Sequence, residues 1–177
     1  IAMKSAMSAA YPRFARDPQV YVAVIRSTSP RAFCAGGDVR EIVALAATDP
    51  AAARQAMKDE YSLCWLHECF SKPSVCLIDG IVMGGGVGIS IHGSHRVAGD
   101  RYAFAMPEVG IGFFPDVGGT YALPRLAGEI GTYAALTVER LKSSDAVQSG
   151  AATHQVKSAR FGDLLSALTR SDPVNAV

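Results

Sequence analysis

Two glycine-rich segments and two proline-linked carboxylates are the residues of this chain whose types and spacing suit chemistry. The first segment is Phe33-Cys34-Ala35-Gly36-Gly37-Asp38 and the second is Met83-Gly84-Gly85-Gly86-Val87-Gly88. Glycine at a strand end lets a backbone N–H face a ligand with no side chain in the way. Each segment is expected to follow a buried strand and to lead into a helix, whose first N–H groups favour negative charge. Two such amides meeting at one carbonyl oxygen form an oxyanion hole, where losing one donor costs about 3–4 kcal/mol of transition-state stabilisation. Neither segment fits GxGxxG or GxxxxGK(S/T), which argues against a nucleotide phosphate loop. Either segment alone is as well explained by a tight turn or close helix packing. The pair, each after an apolar strand, brings the oxyanion reading forward.

The carboxylates are Glu108, after Met106-Pro107, and Asp116, after Phe113-Phe114-Pro115. Apolar neighbours raise a carboxylate pKa and suit it to proton transfer near neutral pH. Two acids eight positions apart across a glycine loop could face one pocket and divide acid, base and hydrogen-bonding duties. The simpler duties are a helix cap for Asp116, ahead of Gly118-Gly119, and a surface ion pair for Glu108. Other candidates are weaker. His92 and His95 form HxxH with no third ligand nearby, so a structural role is expected. Ser90 is not in a GxSxG elbow, and His67 and His154 are isolated. Cys34 has no partner histidine in the pattern and reads as a packed thiol. Trp65 is expected to pack a core.

Positioning these groups falls to alternating helices and strands. Apolar Ile1, Met3, Met7, Ala10, Tyr11 and Phe14 recur at helical spacing over residues 1–16. Residues 20–25 (VYVAVI) form a buried strand, followed by a loop over 27–37. Asp38 caps a helix to about residue 47, and Asp49-Pro50 opens another to about residue 70. A strand at 75–78, a glycine turn and a packed helix to 91 come next. Short strands are expected at 96–98, 102–105 and 153–156, and helices at 120–126, 130–137, 143–148 and 161–168. The class is α/β with no repeat period. No linker divides residues 1–177, so one domain is expected; it opens inside an uncapped helix, as though incomplete.

Composition narrows the function classes. The 177 residues are 49% apolar and 19% charged, with a formal net charge of +1. That balance gives no electrostatic case for nucleic acid or for an anionic membrane surface. Cys34, Cys64, Cys69 and Cys76 form no CxxC pair, and reduced, mostly buried thiols in a reducing compartment are expected. The apolar run from Ser74 to Ile91 is broken by Asp79 and glycines, which suits a core better than a membrane span. No basic region with a cleavage signal opens the chain.

The segments FCAGGD, IDGIVMGGGVGISIHG and FAMPEVGIGFFPDVGGTYALPRL resemble the crotonase (enoyl-CoA hydratase/isomerase) superfamily, and within it the 3-hydroxyisobutyryl-CoA hydrolase branch most closely. The likeness spans about residues 20–157. It implies a spiral of ββα turns, with the family's N-terminal hairpin and C-terminal helical region missing here. It also implies a coenzyme A thioester substrate. Carried over by position, the Gly37 and Gly85 amides would form the oxyanion hole and Glu108 would be the catalytic acid or base. The hydratases carry a second Glu two residues after their GGG run, where this chain has Gly88. The hydrolase branch has a small residue there and an Asp in FPD, matching Asp116. Its substrate-contacting Glu before Tyr matches Glu60, and Arg31, Phe33 and Ala35 match the stretch that contacts CoA.

The implied reaction is hydrolysis of 3-hydroxyisobutyryl-CoA to 3-hydroxyisobutyrate and CoA, a step of valine breakdown. Glu108 would activate water or attack the carbonyl, and Asp116 would orient the β-hydroxyl or the water. The alternatives are enoyl-CoA hydration or isomerisation on the same fold, and a non-catalytic acyl-CoA-binding subunit. No metal or redox cofactor is implied, CoA being part of the substrate. Expected partners are the acyl-CoA and further copies of the chain, without nucleic acid or membrane. The expected location is the cytoplasm, or the mitochondrial matrix if a targeting segment precedes.

Overall fold

A computed structural model describes residues 2–170 and 173–177; Ile1, counted in the first helical pattern, lies outside the described residues. In chain order the elements are α1 (Ala2–Arg16), β1 (Ala23–Arg26), β2 (Ala32–Cys34), α2 (Val39–Thr48), α3 (Pro50–Glu68), β3 (Ser74–Ile78), β4 (Ile81–Met83) and α4 (Gly85–Gly88). There follow β5 (His95–Ala98), β6 (Ala103–Ala105), a 3-10 turn (Glu108–Ile111), α5 (Gly119–Ala122), α6 (Ile130–Thr137), β7 (Leu141–Lys142), α7 (Ser143–Ser149), β8 (His154–Gln155) and α8 (Phe161–Leu168).

The strands form two sheets, ordered β1-β3-β5-β8 and β2-β4-β6-β7. All pairs are parallel except β6 with β7. Successive strands β1–β2, β3–β4 and β5–β6 thus each place one strand in each sheet, and each such pair is one turn of a spiral. The corners between them are pinned together. Gly80, at φ +82°, makes the β3–β4 corner, where a Cβ would lie 2.4 Å from the Arg31 carbonyl oxygen. Arg101, at the β5–β6 corner, donates to Asp79 and to the Pro30 carbonyl at 2.6 Å. One guanidinium therefore ties all three corners.

The β3 strand is buried at every position, as expected for a strand covered on both faces. Its period of two divides the core. Cys76 and Ile78 join the main cluster with Val82, Val87, Phe104, Met106, Val117 and Leu123. Val75 and Leu77 join a second cluster with Val97 and Leu168, completed by Phe161 and Leu164 of α8.

The α/β class and spiral stand as the sequence reading had them, with corrections of detail. The first strand begins at Ala23, where it enters register with Ser74. The loop expected over 27–37 contains β2, and β4 and β7 were likewise unanticipated, because strands of two or three residues carry no readable period. The helix expected to reach residue 91 is the single turn α4, and that expected at 120–126 breaks at Leu123, beside Pro124. Trp65 is 67% exposed rather than in the core. It lies on α3 opposite the face that buries Leu63, Cys64 and His67.

Candidate active site

Because β2, β4 and β6 are parallel neighbours, the segments that follow them leave the same edge of one sheet. That edge is where parallel sheets offer ligand crevices. The first two segments touch. A Cβ on Gly36, at φ +97°, would lie 3.3 Å from both the Gly85 amide nitrogen and the Met83 carbonyl oxygen. One on Gly85 would lie 3.5 Å from the Gly37 nitrogen. Among the described residues, neither the Gly37 nor the Gly85 N–H meets a hydrogen-bond acceptor. Two unspent amide donors therefore sit side by side, with the Glu60 carboxylate lying against both glycines.

Three carboxylates gather around this pair. Glu108, on the turn after β6, is 7% exposed, and its Oε2 has no hydrogen-bond partner among the described residues. Burial pushes its carboxyl above the usual range, and the charge of Asp116 adds to the rise. Its Oε1 lies 2.9 Å from where a Cβ on Gly84 would stand, so the acid rests against the second glycine loop. Glu60 reaches in from α3, its Oε1 2.5 Å from a Cβ on Gly85. Its Oε2 accepts from Lys4 Nζ of α1 at 2.9 Å, within a largely buried ion pair. Asp116 Oδ2 accepts from the Tyr61 hydroxyl at 3.0 Å. Burial raises the Asp116 pKa, the Tyr61 hydrogen bond opposes that rise, and Glu60 adds to it. Tyr61, desolvated and bonded to a carboxylate, is pushed far up and stays a donor.

Asp116 opens a tight turn. The Gly119 amide donates to the Asp116 carbonyl at 2.6 Å, and both central residues are left-handed, Val117 at φ +48° and Gly118 at +81°. This is the sign pattern of a type I′ turn, which favours Asn and Gly. A β-branched residue there is a strained choice, at about 1–3 kcal/mol. Val117 is 2% exposed. A Cβ on Gly88 would stand 2.6 Å from Val117 Cβ and 2.9 Å from Cys64 Sγ. The space over Gly88 is filled.

Of the residues singled out in the sequence, Gly37, Gly85, Glu60, Glu108 and Asp116 come together. Arg31, Phe33 and Ala35 flank them on and beside β2, with Arg31 and Ala35 exposed. The Phe33 side chain belongs to the core, which leaves only its backbone to face a ligand. The simpler duties weighed for the acids do not hold. Glu108 joins no ion pair among the described residues. Gly118, without a side-chain bond, caps α5 in place of Asp116. No group of three metal-ligating side chains occurs among the described residues. All four cysteines are free, with Cys64 and Cys76 buried and Cys69 exposed.

Sequence reasoning missed Lys4, Tyr61 and the packing of Val117. Lys4 left no signal, since one lysine on a helix face is ordinary. Tyr61 directly follows Glu60, but successive helical residues diverge by about 100°, and only the fold brings the distant Asp116 to it. The Val-Gly-Gly run after Asp116 was the available hint of a left-handed turn.

A family profile described as enoyl-CoA hydratase/isomerase matches residues 1–176. Among curated proteins, the mitochondrial 3-hydroxyisobutyryl-CoA hydrolase of Xenopus tropicalis is 49% identical over 148 residues, covering 84% of this chain and 38% of the relative. The Homo sapiens protein of the same name is 45% identical over 152 residues, covering 86% and 39%. The chain thus spans about two-fifths of the length of these relatives. Among solved structures, a carnitinyl-CoA dehydratase from Mycobacterium thermoresistibile superposes with a TM-score of 0.93 at 42% identity, covering 99% of this chain and 51% of that one. An enoyl-CoA hydratase from Rhodobacter sphaeroides gives 0.89 at 40% identity, covering 94% and 50%.

Proposed function

Since the chain belongs to the enoyl-CoA hydratase/isomerase family, we propose that it carries the catalytic core of an acyl-CoA thioester hydrolase acting on 3-hydroxyisobutyryl-CoA or a close β-hydroxyacyl relative. The observation that carries this choice is the filled space over Gly88. Water addition in this family draws on a second carboxylate at that position. Val117 and Cys64 occupy its volume here, so Glu108, which rests against Gly84 of the second glycine loop, acts without that partner. The names of the curated relatives support the same reading.

The Gly37 and Gly85 amides polarise the thioester carbonyl and stabilise the oxyanion of the tetrahedral intermediate. Glu108 supplies the acid–base function, either by taking a proton from the attacking water or by attacking the carbonyl itself to form an anhydride that water then opens. Either route expels CoA thiolate, which leaves as the thiol once protonated. Asp116, fixed by Tyr61, orients the β-hydroxyl or the water. Glu60, anchored by Lys4, contacts the acyl portion, and the Arg31–Ala35 stretch receives CoA. The proposal needs no metal or redox cofactor beyond the CoA of the substrate. It extends to valine catabolism as the setting, the mitochondrial matrix or cytoplasm as the location, and association with further copies of the chain.

The test is release of free CoA from 3-hydroxyisobutyryl-CoA by the whole protein, followed with a thiol reagent. Absence of release would sink the proposal. The solved structures described as a dehydratase and a hydratase favour a second reading, hydration or isomerisation. Loss of crotonyl-CoA absorbance without thiol release would select it.

A further inference from the structure

We propose that His92 is the positioning residue of this site, holding the strained Asp116–Gly119 turn in the conformation that presents Asp116 and closes the space over Gly88. The inference rests on the hydrolase reading above for its kinetic consequence, but its structural basis is separate. His92 Nε2 lies 2.8 Å from the Val117 carbonyl oxygen. A carbonyl only accepts, so Nε2 carries the hydrogen. The other ring nitrogen, Nδ1, faces Glu68 Oε2 at 3.4 Å, and the His92 side chain is only 7% exposed. The ring lies directly over the turn. A Cβ on Gly118 would fall 2.4 Å from both His92 Cε1 and Nε2, so His92 and a side chain at 118 exclude each other.

Three restraints therefore meet on a backbone that prefers another conformation. Tyr61 holds the Asp116 carboxylate, the Gly119 amide closes the turn, and His92 fixes the Val117 carbonyl between them. Without the His92 bond the turn is free to relax, its Asp116–Val117 peptide rotating to bring Val117 out of the left-handed region. That rotation swings Asp116 on one side and lifts the Val117 side chain from Gly88 and Cys64 on the other. His92 acts through the turn and touches no reacting atom.

The experiment compares the whole protein with its His92→Ala, His92→Gln and Glu68→Gln variants. For His92→Ala, kcat for CoA release should fall about 10–100-fold, with KM within about twofold. His92→Gln, whose amide N–H is placed to donate to the same carbonyl, should recover most of the loss. Glu68→Gln, at the exposed end, should stay near wild type. Amide deuterium exchange over residues 113–119 should rise in His92→Ala alone, with the exchange of β3 unchanged. If His92→Ala keeps its kcat, or if Gln and Ala lose alike, the proposal is overturned. If the wild type releases no CoA, the hydrolase reading fails instead. His92 is then judged by exchange alone, and unaltered exchange over 113–119 overturns it.

Discussion

Glu108 is asked to be stable in a place where its charged form is disfavoured. It is 7% exposed with one oxygen unpartnered, so its folded pKa stands above its ordinary value of 4.5. A carboxyl with a raised folded pKa binds its proton more tightly in the native state. Native stability therefore falls as pH rises through the interval between the unfolded and folded pKa values, and stays lower above it. Glu108→Gln removes that cost while keeping the shape. The variant should be more thermostable than wild type at pH 8, by about 2–4 °C per kcal/mol recovered for a domain of this size. At pH 4, where Glu108 is mostly protonated, the advantage should vanish. The same substitution should lower CoA release about 10²–10⁴-fold. Melting curves at the two pH values and a thiol assay check both halves; an equal melting shift at both would contradict the buried-charge account. The companion test is Gly85→Ala. Its methyl would stand 3.5 Å from the Gly37 nitrogen and 2.5 Å from Glu60 Oε1, inside the space a carbonyl oxygen needs. Glu60 can yield, so the fold should survive while kcat drops about 10²-fold or more; a kcat near wild type would place the oxyanion elsewhere.

At the scale of elements, the decisive contact is between α4 and the turn before α5, since Gly88 and Val117 share one volume. Gly88→Glu should fail to gain hydratase activity and should destabilise the protein by about 3 kcal/mol or more, combining overpacking with a buried charge. Adding Val117→Gly removes the nearer of the two obstructions, leaving Cys64, and relieves the strained φ. The double variant should regain much of the lost melting temperature, and crotonyl-CoA absorbance reports whether water addition appears. A Gly88→Glu single variant as stable as wild type would show that the space over Gly88 is open.

This contact also marks how far the sequence could be read. The apolar run at 75–78, the Asp38 cap and the helix start at Asp49-Pro50 were legible, because each signal is local. The two glycine loops and both acids were legible as residue types with a family likeness. Their meeting was not, because it depends on β2 and β4, strands of three residues that become neighbours only through parallel pairing. Trp65 misled for a related reason. An aromatic on a helix is read as core until the direction of the other face is known, and Leu63, Cys64 and His67 took the inward side.

For the molecule as a whole, the site's edge and its outer helices are held very differently. The β3 strand is covered on both faces, whereas α2 buries no residue. Val39 and Val43 of α2 and Trp65 of α3 stand exposed, and Ile42, Ala46, Pro50, Ala53, Met57 and Trp65 line a groove between α2 and α3. Exposed apolar area of this kind marks an interaction surface or an aggregation liability. A ten-residue helix is too short to persist on its own hydrogen bonds, so α2 depends on its Asp38 cap, which accepts from the Arg40 and Glu41 amides, and on one-sided packing against α3. In the isolated 177-residue chain, α2 amides should therefore exchange orders of magnitude faster than those of β3, which open only with the whole fold. Asp38→Ala should speed α2 exchange further, by a factor matching about 1 kcal/mol, while the global melting temperature stays nearly still. Concentration-dependent association of the chain should weaken when Val43 and Trp65 are replaced by lysine. Equal protection of α2 and β3 would contradict the account, since it would require α2 to be held by contacts its exposed side chains do not make.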